Sequence, residues 1–169
     1  MYALPTQNHR QRYLSDSKKS SVFTKIVNPV THRQRIKQEL KDLGASKAGL
    51  SSMEAHYLPN LIHVDEHIGG VVYGDHADGF VMLTATDCRV IFLDVKPFFI
   101  NEDEINYGVV SGVRYGHIGF WTTITLHTRI RDYTIRTYNK KCALGFVKYI
   151  EKHIELRTLE RDNREDNII

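Results

Sequence analysis

The sequence predicts an α+β fold, mainly β with helices. The expected form is a bent seven-stranded antiparallel barrel closed by a C-terminal helix and preceded by a short helical leader. Three observations carry this expectation. Seven β-rich runs follow one another at close spacing after Glu66, separated by Gly, Asp and Asn. A segment with helical spacing of apolar residues stands before them, and a long amphipathic stripe follows them. At 169 residues, 41% of them hydrophobic, the chain is long enough to bury a core of its own.

Residues 1–28 are polar, hold the run SDSKKSS and show no sustained apolar period, so they read as a disordered leader. Residues 29–66 read as a helical extension. Within VNPVTHRQRIKQELKDLGAS, Thr31 and Gln34 have capping-box spacing, and Ile36, Leu40 and Leu43 share one face. Gly44 is placed to end that helix. A second helical turn is expected from Ser51, with Glu54 three residues on and Pro59 beyond it.

The strand region reads HIGGVVYG (67–74), GFVMLTAT (79–86), RVIFLD (89–94), a short piece near PFFINEDEINY (97–107), VVSGVRYG (109–116), FWTTITLHT (120–128) and RDYTIRTY (131–138). The sixth run alternates most clearly. Phe120, Thr122, Ile124, Leu126 and Thr128 fall on one face and Trp121, Thr123, Thr125 and His127 on the other, so that one face is built for a core. The period then changes again. KKCALGFVKYIEKHIEL puts Cys142, Ala143, Phe146, Val147, Ile150 and Ile154 on one helical stripe, which suits a plug for one end of the barrel. Residues 67–156 thus form the domain, and 157–169 a highly charged tail expected to fray.

Charge and composition remove several function classes. The net charge is +3, and its excess sits early: residues 1–66 hold 10 Lys and Arg against 6 Asp and Glu, whereas residues 67–138 hold 6 against 8. A nucleic-acid site needs a basic stripe on the folded part, so DNA and RNA binding is not expected. No run approaches the roughly 18 apolar residues of a membrane span, and the first residues lack the apolar stretch of a secretory signal. A cytoplasmic location is the expectation. Cys88 and Cys142 lie far apart with no CxxC spacing and read as reduced thiols.

From Leu58 to Leu156 the chain resembles the bacterial pleckstrin-homology (PH-like) domains, in particular the YokE-like branch. The strings that carry the resemblance are HIGGVVYG, LTATDCRVIFLD followed by KPFF, DEINY leading into VVSGV, and TITLHT before the last helix. The resemblance implies a PH-like fold, a strongly bent seven-stranded sheet with a C-terminal helix, and no enzymatic activity.

Each reactive-looking cluster has a structural reading beside the chemical one. Asp87, Cys88 and Arg89 fall in a hairpin turn, where Asp87 suits an Asx-type turn and Cys88 no nucleophilic role. His56, His63 and His67, with Asp65 and Glu66 between, have metal-ligand chemistry. They straddle the junction between leader and first strand, however, and read as a polar linker. Cys142 and His153 point away from each other on the last helix, and no nucleophile elbow accompanies them. Gly69, Gly70 and Gly112 match no phosphate-binding loop and read as bending points of strands. The first hairpin, GDHADG, puts Asp75 and Asp78 where a phosphate clamp would need cations.

No catalytic, metal or cofactor residue is therefore expected. In RVIFLD, Val90 and Phe92 take one face and Ile91 and Leu93 the other, so a strand expected to be half exposed is apolar on both sides. Ile91, Leu93, Phe98, Phe99 and Trp121 are the candidate interaction surface, covered by the leader helix, the last helix or another chain. The expected function is a non-catalytic module that binds a protein partner or itself. The alternative is peripheral membrane contact through the basic leader, with Lys18, Lys19, Lys25, Arg33, Arg35 and Lys37.

Overall fold

A computed structural model of the chain describes residues 29–77 and 79–165. Helix α1 spans Pro29–Asp42. Pro29 opens it at a position where a missing N–H costs nothing, so Thr31, expected as the cap, lies inside the first turn. Gly44 ends the helix as expected: at φ +90 it lets its own amide reach Lys41 O (2.9 Å) and the Ala45 amide reach Leu40 O (3.0 Å). Two short helices follow, α2 (Lys47–Leu50) and α3 (Met53–Tyr57). Ser52, one residue later than expected, caps α3 by accepting the Ala55 amide at 3.1 Å. Glu54 does not complete a capping box. It is buried, and its carboxylate accepts the Val95 amide at 3.1 Å.

The strands are β1 (Ile68–His76), β2 (Gly79–Thr86), β3 (Arg89–Lys96), β4 (Phe99–Asn106), β5 (Val110–Ile118), β6 (Trp121–Thr128) and β7 (Asp132–Thr137). All pairings are antiparallel, in the order β4-β3-β2-β1-β7-β6-β5. The order corrects one expectation, because the sheet does not close on itself: β4 and β5 are its two ends. They are consecutive in sequence, yet a single 3₁₀ turn, Tyr107–Val109, joins them in place of a hairpin. The β4 segment, expected as a short piece, is a full strand in register with β3 from Arg89↔Asn106 to Lys96↔Phe99. Register shifts at Ile68/Gly70 and at Val110/Gly112 mark where β1 and β5 bend.

Helix α4 (Lys140–Glu165) packs its stripe into the bent sheet. Ala143, Phe146, Val147 and Ile150 join Val72, Leu83, Val90, Phe92, Ile124, Leu126 and Ile135 in one core. The helix runs beyond the expected fraying point, through most of the charged segment. TLERDNRE has neither Gly nor Pro and is rich in Leu, Glu and Arg, which lose little freedom in a helix. A second core lies on the outer face of β1 to β3, where Ile36, Leu40, Leu58 and Ile62 cover Val71, Met82, Ile91, Leu93 and Val95. The helical extension is thus a lid on half of the sheet. The leader before Pro29, Asp78 and residues 166–169 lie outside the described residues.

Candidate binding groove

The lid stops short of the β1–β7 junction. There α2, β1, β2, the end of β7 and the start of α4 enclose a groove of about 520 Å³. Its walls are aromatic. Tyr73 and Phe80 stack at a centroid distance of 5.6 Å, and Trp121 and Tyr138 meet at 3.8 Å. Val71, Met82 and Cys142 supply apolar lining, and Ala45, Ala48 and Gly49 keep the leader side shallow. Gly74 is there because β1 and β7 approach so closely that a Cβ would lie 2.0 Å from the Arg136 carbonyl oxygen. Burial and the Glu54 carboxylate push the Tyr73 phenol up, so it stays neutral.

Arg136 and Lys140 are the cations of this groove, and no Asp or Glu lines it. Both are exposed, and neither makes an ion pair with any described residue. The nearest candidate is Asp75, the cross-strand neighbour of Arg136. Beyond Trp121 the β5–β6 turn carries Ile118 and Phe120, which are 83% and 88% exposed. Pockets of several hundred cubic ångströms with apolar walls and a few polar groups are the usual shape of ligand and peptide sites.

The bacterial PH domain family model matches residues 62–152, more than half of the chain. The chain belongs to the bacterial PH domain family. It is also similar to a solved structure, that of a DUF1696 family protein with a pleckstrin-homology domain from Shewanella loihica PV-4. That similarity has 16% identity and a TM-score of 0.36, over 60% of this chain and 89% of the other. No curated protein matches the chain significantly.

In this PH domain the five residues expected to form one interaction surface do not come together. Ile91 and Leu93 are fully buried under the leader helices, the first of the three covers expected for them, so they are not open to a partner chain. Phe98 and Phe99 are exposed at the β3–β4 turn. Trp121 alone lines the groove. Sequence reasoning missed Tyr73, Phe80, Arg136, Tyr138 and Lys140. The one available signal was the aromatic content of YG, GF and TY at strand ends, where a side chain leaves the core face.

The turn at Cys88 is built differently from the Asx turn expected. Thr86 is its cap: the hydroxyl accepts the Cys88 and Arg89 amides at 3.2 and 3.0 Å and donates to Glu66 at 2.7 Å. Asp87 reaches across instead, accepting the His67 amide at 3.1 Å. Partial desolvation and the Asp87 carboxylate push the Cys88 thiol up, the opposite of an activated nucleophile. Cys142 lines the groove with its thiol also pushed up by burial, while His153 stacks on Tyr107 at 4.6 Å. Eleven residues of helix, about 16 Å, separate the two.

The histidines of the linker are divided among backbone and side-chain partners. His56 faces Ser52 O at 2.7 Å, and His67 faces Glu39 at 3.0 Å. Among the described residues no group of three His, Cys, Asp or Glu is arranged to hold a metal ion. Nor is any described helix long and apolar enough to cross a membrane.

Proposed function

We propose that this PH domain is a non-catalytic interaction module that takes an apolar segment of a protein partner, or of a second copy, into the groove at the β1–β7 junction. The observation that carries the reading is the groove itself, with two aromatic pairs and two unpaired cations. The exposed Ile118 and Phe120 extend its apolar margin. The strings HIGGVVYG and ATDCRVIFLD support a place within the YokE-like branch of the family.

Lipid recognition at the first hairpin has less to stand on. Lys96 is bonded to Asp94 at 2.5 Å, and Arg131 is paired with Asp103 and lies over the Phe92 and Tyr133 rings. These cations are already occupied, and a phosphate clamp needs free ones. The alternative of membrane contact through the leader loses Arg35, which bonds Glu39 and the Glu66 carbonyl. It keeps Arg33 and Lys37, both exposed on α1, and Lys18, Lys19 and Lys25, which lie outside the described residues.

The test is site-specific photocrosslinking in living cells. A crosslinker at Phe120 should capture protein, one at the exposed Glu151 of α4 should not, and Ala48→Trp, which fills the groove, should abolish the Phe120 product. Liposome co-sedimentation at physiological salt should show no selectivity for phosphoinositides. Head-group-selective binding that survives Ala48→Trp would overturn the reading.

A further inference from the structure

Resting on that reading of the groove, we propose that its occupant is the segment 165–169 of a second copy of this chain, so that molecules join head to tail. The groove asks for an acidic group beside apolar side chains, since Arg136 and Lys140 stand at its margin and Val71, Met82 and Trp121 line it. Lys140 and Lys141 also open α4, where the positive end of the helix dipole disfavours cations. A carboxylate brought to that spot offsets the conflict.

Two segments of this chain adjoin the described residues, and only one has the right chemistry. Residues 1–28 hold five Lys and Arg against one Asp, the same sign as the groove. Residues 165–169 read Glu-Asp-Asn-Ile-Ile, two adjacent carboxylates followed by two branched apolar side chains. Opposite charge and apolar anchors are thus offered together.

Geometry decides between the same molecule and a second one. Helix α4 starts in the groove and is 26 residues long, ending at Glu165. At 1.5 Å per residue that is about 39 Å. Four further residues span at most about 14 Å fully extended, so with α4 intact the segment does not reach its own groove. The contact is made between molecules. It joins two different surfaces, the heterologous kind that grows into rings or open chains.

Light scattering over a concentration series tests this, with two variants of the full chain. Ile168→Asp with Ile169→Asp spoils the segment, and Ala48→Trp blocks the groove. The native chain should gain mass with concentration, each variant alone should stay monomeric, and their 1:1 mixture should form heterodimers and nothing larger. A second readout uses Trp121, the only tryptophan of the chain. A synthetic peptide of residues 163–169 should shift its fluorescence saturably in the Ile168→Asp, Ile169→Asp chain. The same peptide with Glu165 and Asp166 replaced by Lys should bind at least about tenfold more weakly, the loss expected for a charge-assisted contact.

A native chain that stays monomeric, a segment variant that associates like the native chain, or a mixture that stays monomeric would each overturn the inference. These failures are distinct from failure of the groove itself. Phe120 crosslinks to a different protein in a monomeric chain would sink the head-to-tail contact and leave the interaction module standing. Self-association that survives Ala48→Trp would sink both.

Discussion

The two halves of the sheet treat their outer faces differently. On β1 to β3 that face is apolar, with Val71, Met82, Ile91 and Leu93 buried under α1 and the turns that follow it. On β6 and β7 it is polar and alternates with the core: Thr123, Thr125, Thr134 and Arg136 face outward between buried Ile124, Leu126, Tyr133 and Ile135. The first half is a sheet covered on both sides, and the second an ordinary sheet with one wet face. The difference teaches that the leader helices belong to the fold of the first half. The groove lies where that cover runs out.

Removing the cover should have the largest effect. A chain beginning at residue 67 exposes five buried side chains, Val71, Met82, Ile91, Leu93 and Val95. At ~1.5–3 kcal/mol each, the loss is on the order of 10 kcal/mol, comparable with the whole stability of a domain. Circular dichroism should show no cooperative melt, and light scattering should show aggregation. A monomeric, cooperatively folded product would place the leader outside the core and erase the contrast between the halves.

The cover is also fastened by polar groups, and their loss ranks next. Glu66, 1% exposed, accepts Arg89 Nε and Nη2 at 3.1 and 3.0 Å, the His63 amide at 2.9 Å and the Thr86 hydroxyl. Arg89 in turn reaches Leu61 O at 2.9 Å and Glu104 at 2.6 Å. One guanidinium therefore ties the leader to β3 and β4. Arg89→Leu strands a buried carboxylate and should cost about 3–5 kcal/mol by urea unfolding. A cost below 1 kcal/mol would mean that the ion pair is dispensable.

The same carboxylates set an acid limb. Burial pushes Glu66 up, but the His63 amide, the Thr86 hydroxyl and the Arg89 guanidinium outweigh it and hold the group below the ordinary glutamate range. Glu39 behaves likewise: burial is outweighed by the Ile68 amide, His67 and Arg35. A carboxyl depressed in the folded state gives stability that is complete above its unfolded pKa and lost as pH falls through its folded pKa. Melting temperature should therefore drop below the ordinary carboxylate range, and Glu66→Gln should flatten that drop. In Arg89→Leu the deficit should shrink in acid, because protonation removes the stranded charge.

Much of the fold was legible because periodicity is local. The seven strands, the Ile36 and Leu40 face and the stripe from Cys142 to Ile150 each announce themselves within a dozen residues. Even the need for a cover could be read, from apolar residues on both faces of RVIFLD. What was not legible depends on partners far apart in sequence. The Glu54 carboxylate finds the Val95 amide 41 residues away, and Asn139 reaches the Gly44 carbonyl across 95. Nothing in a run of letters marks such a pair. The open sheet was missed for the same reason, since alternation says which face a residue takes and not which strand lies beside it. The groove needs all of these contacts at once.

Thr84 gives a smaller effect with the opposite sign. It sits on β2 between Val71 and Ile91 under the leader, and its hydroxyl is fully buried with no hydrogen-bond partner among the described residues. An unmade hydrogen bond on a buried polar group costs about 1–3 kcal/mol. Thr84→Val keeps the branched shape and removes that cost, so it should stabilise the chain by about 1 kcal/mol. A destabilised variant would show that the hydroxyl does have a partner at the interface of leader and sheet.

The smallest effect belongs to Cys88→Ser. The turn is held by Thr86, whose hydroxyl takes both amides that follow it, and by Asp87 and His67, which exchange hydrogen bonds at 3.1 Å. None of these needs the thiol. Among the described residues its hydrogen bond is a 3.4 Å approach to the neighbouring Asp87 carboxylate, which a serine hydroxyl makes equally well. The side chain is exposed, and its thiolate is disfavoured by partial desolvation of the sulfur and by that carboxylate. A surface change away from any cap or ion pair stays within about 0.5 kcal/mol. Thermal melting should therefore show no shift, and thiol labelling of the native chain at neutral pH should be slow. Fast labelling, or loss of the Phe120 crosslink in the serine variant, would give Cys88 a role that neither half of the sheet assigns to it.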